Sequence, residues 1–410
     1  MTKIKKIDKE ENIQKQGKNL KKSLSGFGSN YSPKIKVIGI GGGGGNAVSR
    51  MCENIGIRGL EFIAINTDAQ DLDYSKVRKK IYIGKNLTRG LGTGMNPELG
   101  KQAAEESRAE ITEAVKDADI IFLTFGSGGG TGSGATPVLA EICKESGALT
   151  VAVVTKPFNF EGSQRGKIAN EAILKLKDKV DTLVVVPNDR IFSIIKKDTP
   201  LVKAFEYIDD VLRQSIQGIS ELIAMPGIIN LDFSDVKTIM KDAGPALVGI
   251  GISGGQNRAS LAVKEVLKTP LLEITADGAK GVLFGVAGNR DLKMSEINEI
   301  AENIAAVVDP SAKIIFGAYN DKKLRKGQLK VTLIATGFSG QVLRNIDTAS
   351  QSLFEEVRNQ NLSNKAIKKE AEVNETKNKA PEKNKEDKKP PEEKNQDSFL
   401  DIPSFLRRKK

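Results

Sequence analysis

The chain has 410 residues, 39% apolar and 28% charged, with a formal net charge of +11 and no histidine. That length holds two globular domains with cores of their own, and the missing histidine excludes Ser-His-Asp and Cys-His nucleophile systems and histidine-ligated metal centres. The positive charge sits in the tails: residues 1–33 hold eight lysines against three acids, residues 365–410 add a further excess of bases, and the stretch from Lys34 to Asn364 is nearly neutral, without the basic face nucleic acid requires.

In chain order, residues 1–33 are polar and lysine-rich and read as a disordered N-terminal extension. "KIKVIGI" (34–40) reads as a buried strand running into "GGGGGN", and "FIAINT" as a second strand. "NPELGKQAAEESRAEITEAVKDA" reads as one helix with Asn96 as its cap and Pro97 in its first position. "DIIFLTF" is a strand feeding "GSGGGTGSG" (126–134), which "ATPVLAEICKES" leaves as a helix. "LTVAVVT" and "TLVVVP" are strands on either side of a helix beginning near Glu161. Strands apolar at every position and joined by helices imply a parallel sheet covered on both faces. The 28 residues of "PLVKAFEYIDDVLRQSIQGISELIAMPG" keep helical apolar spacing over about 25 of them, or ~38 Å, which suits a central helix bridging two domains. A second α/β unit follows, with strands "ALVGIGIS", "GVLFGVA", "AKIIFGA" and "LKVTLIATGF" and helices near 257–268 and 295–308. Beyond about residue 365 the chain is Lys, Glu, Asn and Pro and reads as a tether, ending in the apolar cluster of "DIPSFLRRKK".

The expected organisation is a disordered extension (1–33), a first α/β domain (34–200), a central helix (201–226), a smaller α/β domain with a mixed sheet (227–340), a charged linker (341–396, disordered from about 365) and a docking peptide (397–410). No apolar run reaches the ~18 residues of a membrane helix, and the first residues lack the apolar segment of a secretory signal. Cys52 and Cys143 have no partners at metal spacing, so they read as small buried hydrophobes of a cytoplasmic protein.

Three glycine loops, 39–46, 126–134 and 89–97, each follow a strand or turn and open a helix. Backbone N–H groups of such turns and the helix dipole make an anion site, and Thr131, Ser133 and Thr93 can add hydroxyl donors. Residues Gly39 to Gly44 satisfy G-x-G-x-x-G, which a tight crossover alone would also explain. Three loops at one sheet edge offer more donors than a dinucleotide's pyrophosphate uses, which favours a nucleoside triphosphate.

"GGGTGSG" (128–134) resembles the defining motif of the tubulin/FtsZ superfamily, and "KPFNFEG", "NLDFSDVK" and "DIPSFLR" are similar to its FtsZ branch, the bacterial cell-division GTPases. The likeness runs from Lys34 to about Gly340 and resumes in the tail. It implies GTP/GDP and Mg2+ as ligands, the metal held mainly by phosphates and water. It also implies assembly-dependent GTP hydrolysis, head-to-tail filaments, a division ring at midcell beneath the inner membrane, and membrane tethers and regulators docking on Asp401–Arg407. Residue by residue, it puts Gly42, Gly43, Gly44, Gly45, Asn46, Gly130, Thr131 and Gly132 around the phosphates and Thr93 and Gly94 at the γ-phosphate. Glu161 and Arg165, four apart on one predicted helix, fall at the ribose and base. Asp209 falls on guanine's N1 and N2 protons, a pair of donors that adenine lacks. Thr93 and Ser127 stand where many relatives carry alanine and methionine.

The first half shows no carboxylate beside the glycine loops to orient water. Asn230, Asp232 and Asp235 cluster where a strand meets a helix, with Ser234 a candidate cap; alone, that pattern is capping chemistry. The resemblance implies instead that this loop enters the next subunit's pocket, where Asp232 and Asp235 polarise the attacking water. Two other readings stay open from the residues: an NAD-dependent dehydrogenase using the first loop with Asp68, and a nucleotide-binding scaffold without turnover.

Overall fold

The computed structural model describes residues 33–338 apart from 56, 58, 197, 226, 268–274 and 322. The N-terminal extension, the linker and the docking peptide expected at 397–410 lie outside the described residues.

The first half is a parallel sheet with helices on both faces. Strands β1 (Ile35–Ile40), β2 (Leu60–Asn66), β3 (Lys79–Tyr82), β4 (Ile120–Gly126), β5 (Leu149–Lys156) and β6 (Thr182–Pro187) take the order β3-β2-β1-β4-β5-β6. Helices α1 (Gly41–Asn54), α2 (Ala69–Tyr74), α3 (Lys85–Thr88), α4 (Pro97–Glu106), α5 (Arg108–Val115), α6 (Gly130–Glu145) and α7 (Ser163–Lys177) connect them. Alternate strand residues serve different cores. Val37, Phe122 and Val151 pack with α1 and the central helix α8 (Leu201–Ala224), while Ile38, Leu123 and Ala152 pack with α4, α5 and α6. A strand with both faces covered has no polar side, which is why these runs are apolar throughout.

The single helix expected over 96–118 is two, α4 and α5, broken at Ser107 (φ −102°, ψ 17°), whose hydroxyl accepts from Gly84 N at 3.4 Å. Asn96 is the cap as expected, accepting from the backbone N–H of Glu98 and Leu99 at 3.0 and 3.3 Å.

The second half is a mixed sheet. β7 (Gly227–Ile229), β8 (Gly244–Gly254), β9 (Gly281–Gly288), β10 (Lys313–Asn320) and β11 (Gln328–Thr336) run in the order β8-β11-β9-β10-β7, with only β9–β10 parallel, and carry α9 (Phe233–Met240), α10 (Arg258–Leu267) and α11 (Met294–Ala305). It joins the first sheet through two residue pairs of β6 and β8, Thr182 with Gly244 and Leu183 with Pro245.

Helix α8 is also tied to the second sheet by buried charge: Lys330 Nζ lies 2.8 Å from Glu221 Oε2 and 2.7 Å from Asp321 Oδ2. Burial is the largest single influence and would raise the Asp321 pKa, but the hydrogen bonds from Lys330 and the Lys323 backbone and the charges of both lysines together outweigh it, and the net shift is downward. A carboxylate depressed in the fold stabilises above its unfolded pKa and loses that contribution as pH falls through the folded value. Lys330→Met is therefore expected to cost about 3–5 kcal/mol in urea unfolding at pH 7, with a deficit that shrinks in acid as Asp321 protonates.

Candidate functional site: a glycine-lined cradle at the sheet edge

β1 and β4 are parallel neighbours with Gly39 opposite Thr124, so the helices that follow them, α1 and α6, start side by side. Both begin inside the glycine runs, earlier than the sequence suggested, and no side chain caps either start. Their first-turn N–H groups have no intrahelical partners and point out of the sheet edge with the positive end of the dipole.

The glycines divide into two kinds. A Cβ on Gly44 would overlap the Thr124 carbonyl oxygen, one on Gly134 the Pro97 carbonyl oxygen, and one on Gly130 the Thr93 hydroxyl and Asn96 N. These glycines let α1 lie on β4 and α4 lie on α6. At Gly42, Gly45 and Gly129 a Cβ would meet nothing nearer than 3.4 Å, and at Gly94, with φ +55°, nothing within 4 Å. At Gly94 the left-handed backbone itself favours glycine; at the other three the chain's own packing does not ask for it, and a bare backbone facing open space is what close approach to phosphate needs.

Three hydroxyls join the loops. Thr131 Oγ1 lies 2.7 Å from Thr67 Oγ1 and 3.2 Å from Thr93 Oγ1, all three buried. Two bonds consume two of three hydroxyl hydrogens, leaving one for a ligand. Ser133, read above as a ligand donor, accepts from Gly128 N at 2.9 Å and braces the loop. Ser127 likewise donates to the Thr155 carbonyl at 2.6 Å.

One expectation is corrected here. A carboxylate does stand beside the glycine loops: Asp71 Oδ2 lies 3.4 Å from the Cβ position of Gly42 and 4.0 Å from that of Gly45. Burial, then the charge of Asp68, raises its pKa, while the 2.7 Å hydrogen bond from Asn66 Nδ2 opposes this. Asp68 itself caps α2, accepting from Asp71 N at 3.1 Å.

The far end of the cleft is aromatic and polar. Glu161 and Arg165 form an ion pair, but not on one helix as expected. Glu161 ends a 3-10 turn (Asn159–Glu161), Gly162 follows at φ +100°, and Arg165 sits in α7. Glu161 also accepts from Phe158 N at 2.9 Å. Asp209 projects from α8 and pairs with Arg50 of α1, a residue ~13 Å along that helix from its glycine start. Phe205, one turn before Asp209, is 39% exposed and meets Phe158 edge-on at 5.7 Å. Asn188, in the 3-10 segment after β6 (Asn188–Ser193), is buried, and its Oδ1 has no hydrogen-bond partner among the described residues. Asp71, Asn188, Phe205 and Arg50 were missed from sequence. Asn188 reads there as turn chemistry, and Phe205 as one more apolar position of the long helix.

Asn230, Asp232 and Asp235 are not brought to this cradle. Asn230 and Asp232 stand between β7 and α9 and Asp235 in the first turn of α9, and α9 packs on β9, five strand positions from β4, or ~24 Å at the usual strand spacing. Asp232, not Ser234, is the N-cap residue of α9. Its N–H donates to Asp235 Oδ2 at 3.3 Å, and Asn230 Oδ1 accepts from Gly227 N at 2.6 Å. Asn230 and Asp232 are exposed.

This arrangement, a parallel sheet with two glycine-started helices joined through a long helix to a mixed sheet, defines a tubulin-like GTPase. The profile of the Tubulin/FtsZ family GTPase domain matches residues 34–196, and that of the FtsZ family C-terminal domain matches residues 244–339. Among solved structures, an empty FtsZ dimer from M. jannaschii is 47% identical, covering 77% of this chain and 92% of its own at TM-score 0.71. A point mutant of FtsZ from the same organism is 46% identical, covering 79% and 95% at TM-score 0.70. CetZ2 from Haloferax volcanii, in a GTPγS-bound protofilament, shares the fold at 21% identity, covering 79% and 99% at TM-score 0.66. The chain belongs to the FtsZ family. That assignment implies GTP and GDP as ligands and displaces the dehydrogenase reading, in which Asp68 would have bound a ribose. Among the described residues no helix is long and apolar enough to cross a membrane.

Proposed function

We propose that the protein binds GTP in this cradle, polymerises head to tail and hydrolyses GTP only when assembled, with Asn230, Asp232 and Asp235 of one copy completing the pocket of the next. The observation that carries the reading is the separation within one copy. The phosphate cradle and the Asn230, Asp232 and Asp235 cluster belong to different halves, and within one copy the cradle has only Asp71 as a neighbouring carboxylate. The M. jannaschii relative solved as a dimer and the CetZ2 protofilament support self-association.

In this reading the N–H groups at Gly42 to Asn46 and Gly130 to Gly132 hold the phosphates, with Thr131 and Thr93 supplying the one spare hydroxyl hydrogen. Gly94 leaves room for the γ-phosphate. Glu161, Arg165 and Asn188 face the ribose, Phe205 offers a ring to the base, and Asp209 accepts from guanine. Magnesium, when bound, neutralises charge on the β- and γ-phosphates. Among the described residues no cluster of three acidic, cysteine or histidine side chains exists to cage it. Asp71, with Asp68 beside it, is the oxygen donor the chain offers at Gly42, which fits a hard ion held mostly by phosphate and water. Asp232 and Asp235 would orient water, since phosphoryl transfer needs positioning more than a strong base. The division-ring role, the midcell location and docking through Asp401–Arg407 rest on the sequence resemblance.

The test is GTP turnover per subunit against protein concentration, with sedimentation in parallel. Turnover is expected to be negligible in dilute, unassociated protein and to rise with the sedimenting fraction. A constant rate per subunit on dilution through disassembly would overturn the shared site.

A further inference from the structure

The base end of the pocket holds a side chain, Arg50, to which GTP binding as described gives no role. Arg50, nearly half exposed, reaches from α1 to Asp209 Oδ2. That oxygen has no solvent exposure, while the Asp209 side chain as a whole keeps 15%. Arg50 therefore grips the inner oxygen and leaves Oδ1 for a ligand. A carboxylate has about four lone-pair sites, so one guanidinium contact does not exhaust it.

Burial pushes Asp209 up to about 6, with Asp210 and Glu206 of its own helix adding to the rise and Arg50 opposing it. The elements packed on α8 bring, besides Arg50, Glu53 (α1, paired with Lys76), Lys156 (β5), Lys330 (β11), and Asp189 and Arg190 (the 3-10 segment) as their charged residues, and β8 brings none. Lys330 is committed to Glu221 and Asp321, and Asp189 accepts from Asn159 N. The state of Asp209 matters because guanine presents two N–H donors where adenine presents an acceptor. An ionised carboxylate matches guanine, whereas a protonated one turns a donor toward a donor and suits adenine N1.

We propose that Arg50 is a positioning residue for base selection: by holding Asp209 as an anion through its inner oxygen, it keeps the outer oxygen an acceptor for guanine at neutral pH. This rests on the GTP-pocket reading above.

The experiment is equilibrium binding of a fluorescent GTP analogue and its ATP counterpart to the full chain between pH 5.5 and 8.5, below the assembly concentration. Unmodified protein, Arg50→Gln and Arg50→Lys are compared. Competent protein is ionised at Asp209, so GTP affinity falls as pH drops through about 6 in the unmodified chain. In Arg50→Gln the opposing charge is gone and the midpoint moves up. A shift of one pH unit weakens GTP binding at pH 6 by roughly fivefold or more, with recovery at pH 8.5 and a narrower GTP-over-ATP margin at low pH. Arg50→Lys is expected to keep the unmodified profile. If Arg50→Gln binds GTP with an unmoved midpoint, the role of Arg50 falls while the pocket stands. If the unmodified protein binds no GTP at any pH, both fall.

Discussion

Asp235→Ala is expected to lose GTP turnover by at least ~100-fold, the lower range for removal of a water-orienting or acid–base group, while keeping GTP affinity and sedimentation. Asp235 also accepts from Asp232 N at the start of α9. Losing that contact costs ~1 kcal/mol of capping, too little to unfold the domain, so a thermal melt separates the two effects. The sharper measurement mixes two defective proteins. Asp235→Ala retains its cradle, and a cradle variant such as Gly42→Val retains its carboxylates. Neither alone turns over GTP, but a head-to-tail pair with the cradle from the first and the acids from the second has a whole site. Recovered turnover in the mixture is the expected result. Co-sedimentation without recovery would place the acids outside the reaction.

The second large effect separates the two kinds of glycine. Gly134→Ala drives a methyl into the Pro97 carbonyl oxygen where α4 crosses α6. Overpacking against backbone falls at the upper end of the usual range, ~3 kcal/mol, or a fall in melting temperature of roughly 6–12 °C for a domain of this size. Gly42→Ala meets only the tip of Asp71 at 3.4 Å and lies in a helix, where alanine is the better former. Its nucleotide-free melting temperature is expected to stay unchanged or rise slightly while GTP affinity drops tenfold or more. Calorimetry without nucleotide and a binding titration read these separately. Equal behaviour of the two variants in both assays would mean that the open glycines do not face the phosphates.

The parallel sheet was legible because strands covered on both faces must be apolar at every position, and the long helix because its apolar spacing persists through 24 residues. The short elements β3, α2 and α3 were not, since four to six residues carry no period. The glycine runs were read as loops because glycine is a poor helix former. Packing decided otherwise: α1 and α6 need bare backbone to approach β4 and α4, and so the helices begin among the glycines. Of the proposed pocket, the glycine cradle could be read because its residues are contiguous in sequence, and Glu161, Arg165 and Asp209 only through the resemblance. Arg50, Asp71, Asn188 and Phe205 lie on separate elements, and each has an ordinary local reading as a surface cation, helix acid, turn amide or apolar stripe.

The seam between the two sheets has a mechanical consequence. Among the described residues only the pairs Thr182 with Gly244 and Leu183 with Pro245, helped by the Gly244 N–H to the Asp181 carbonyl at 2.9 Å, continue the strand ladder across it. Tension pulling the halves apart would load that short zipper, the Lys144–Asp242 ion pair beside it and the rod of α8 in parallel. The molecule should yield there first, long before either sheet tears.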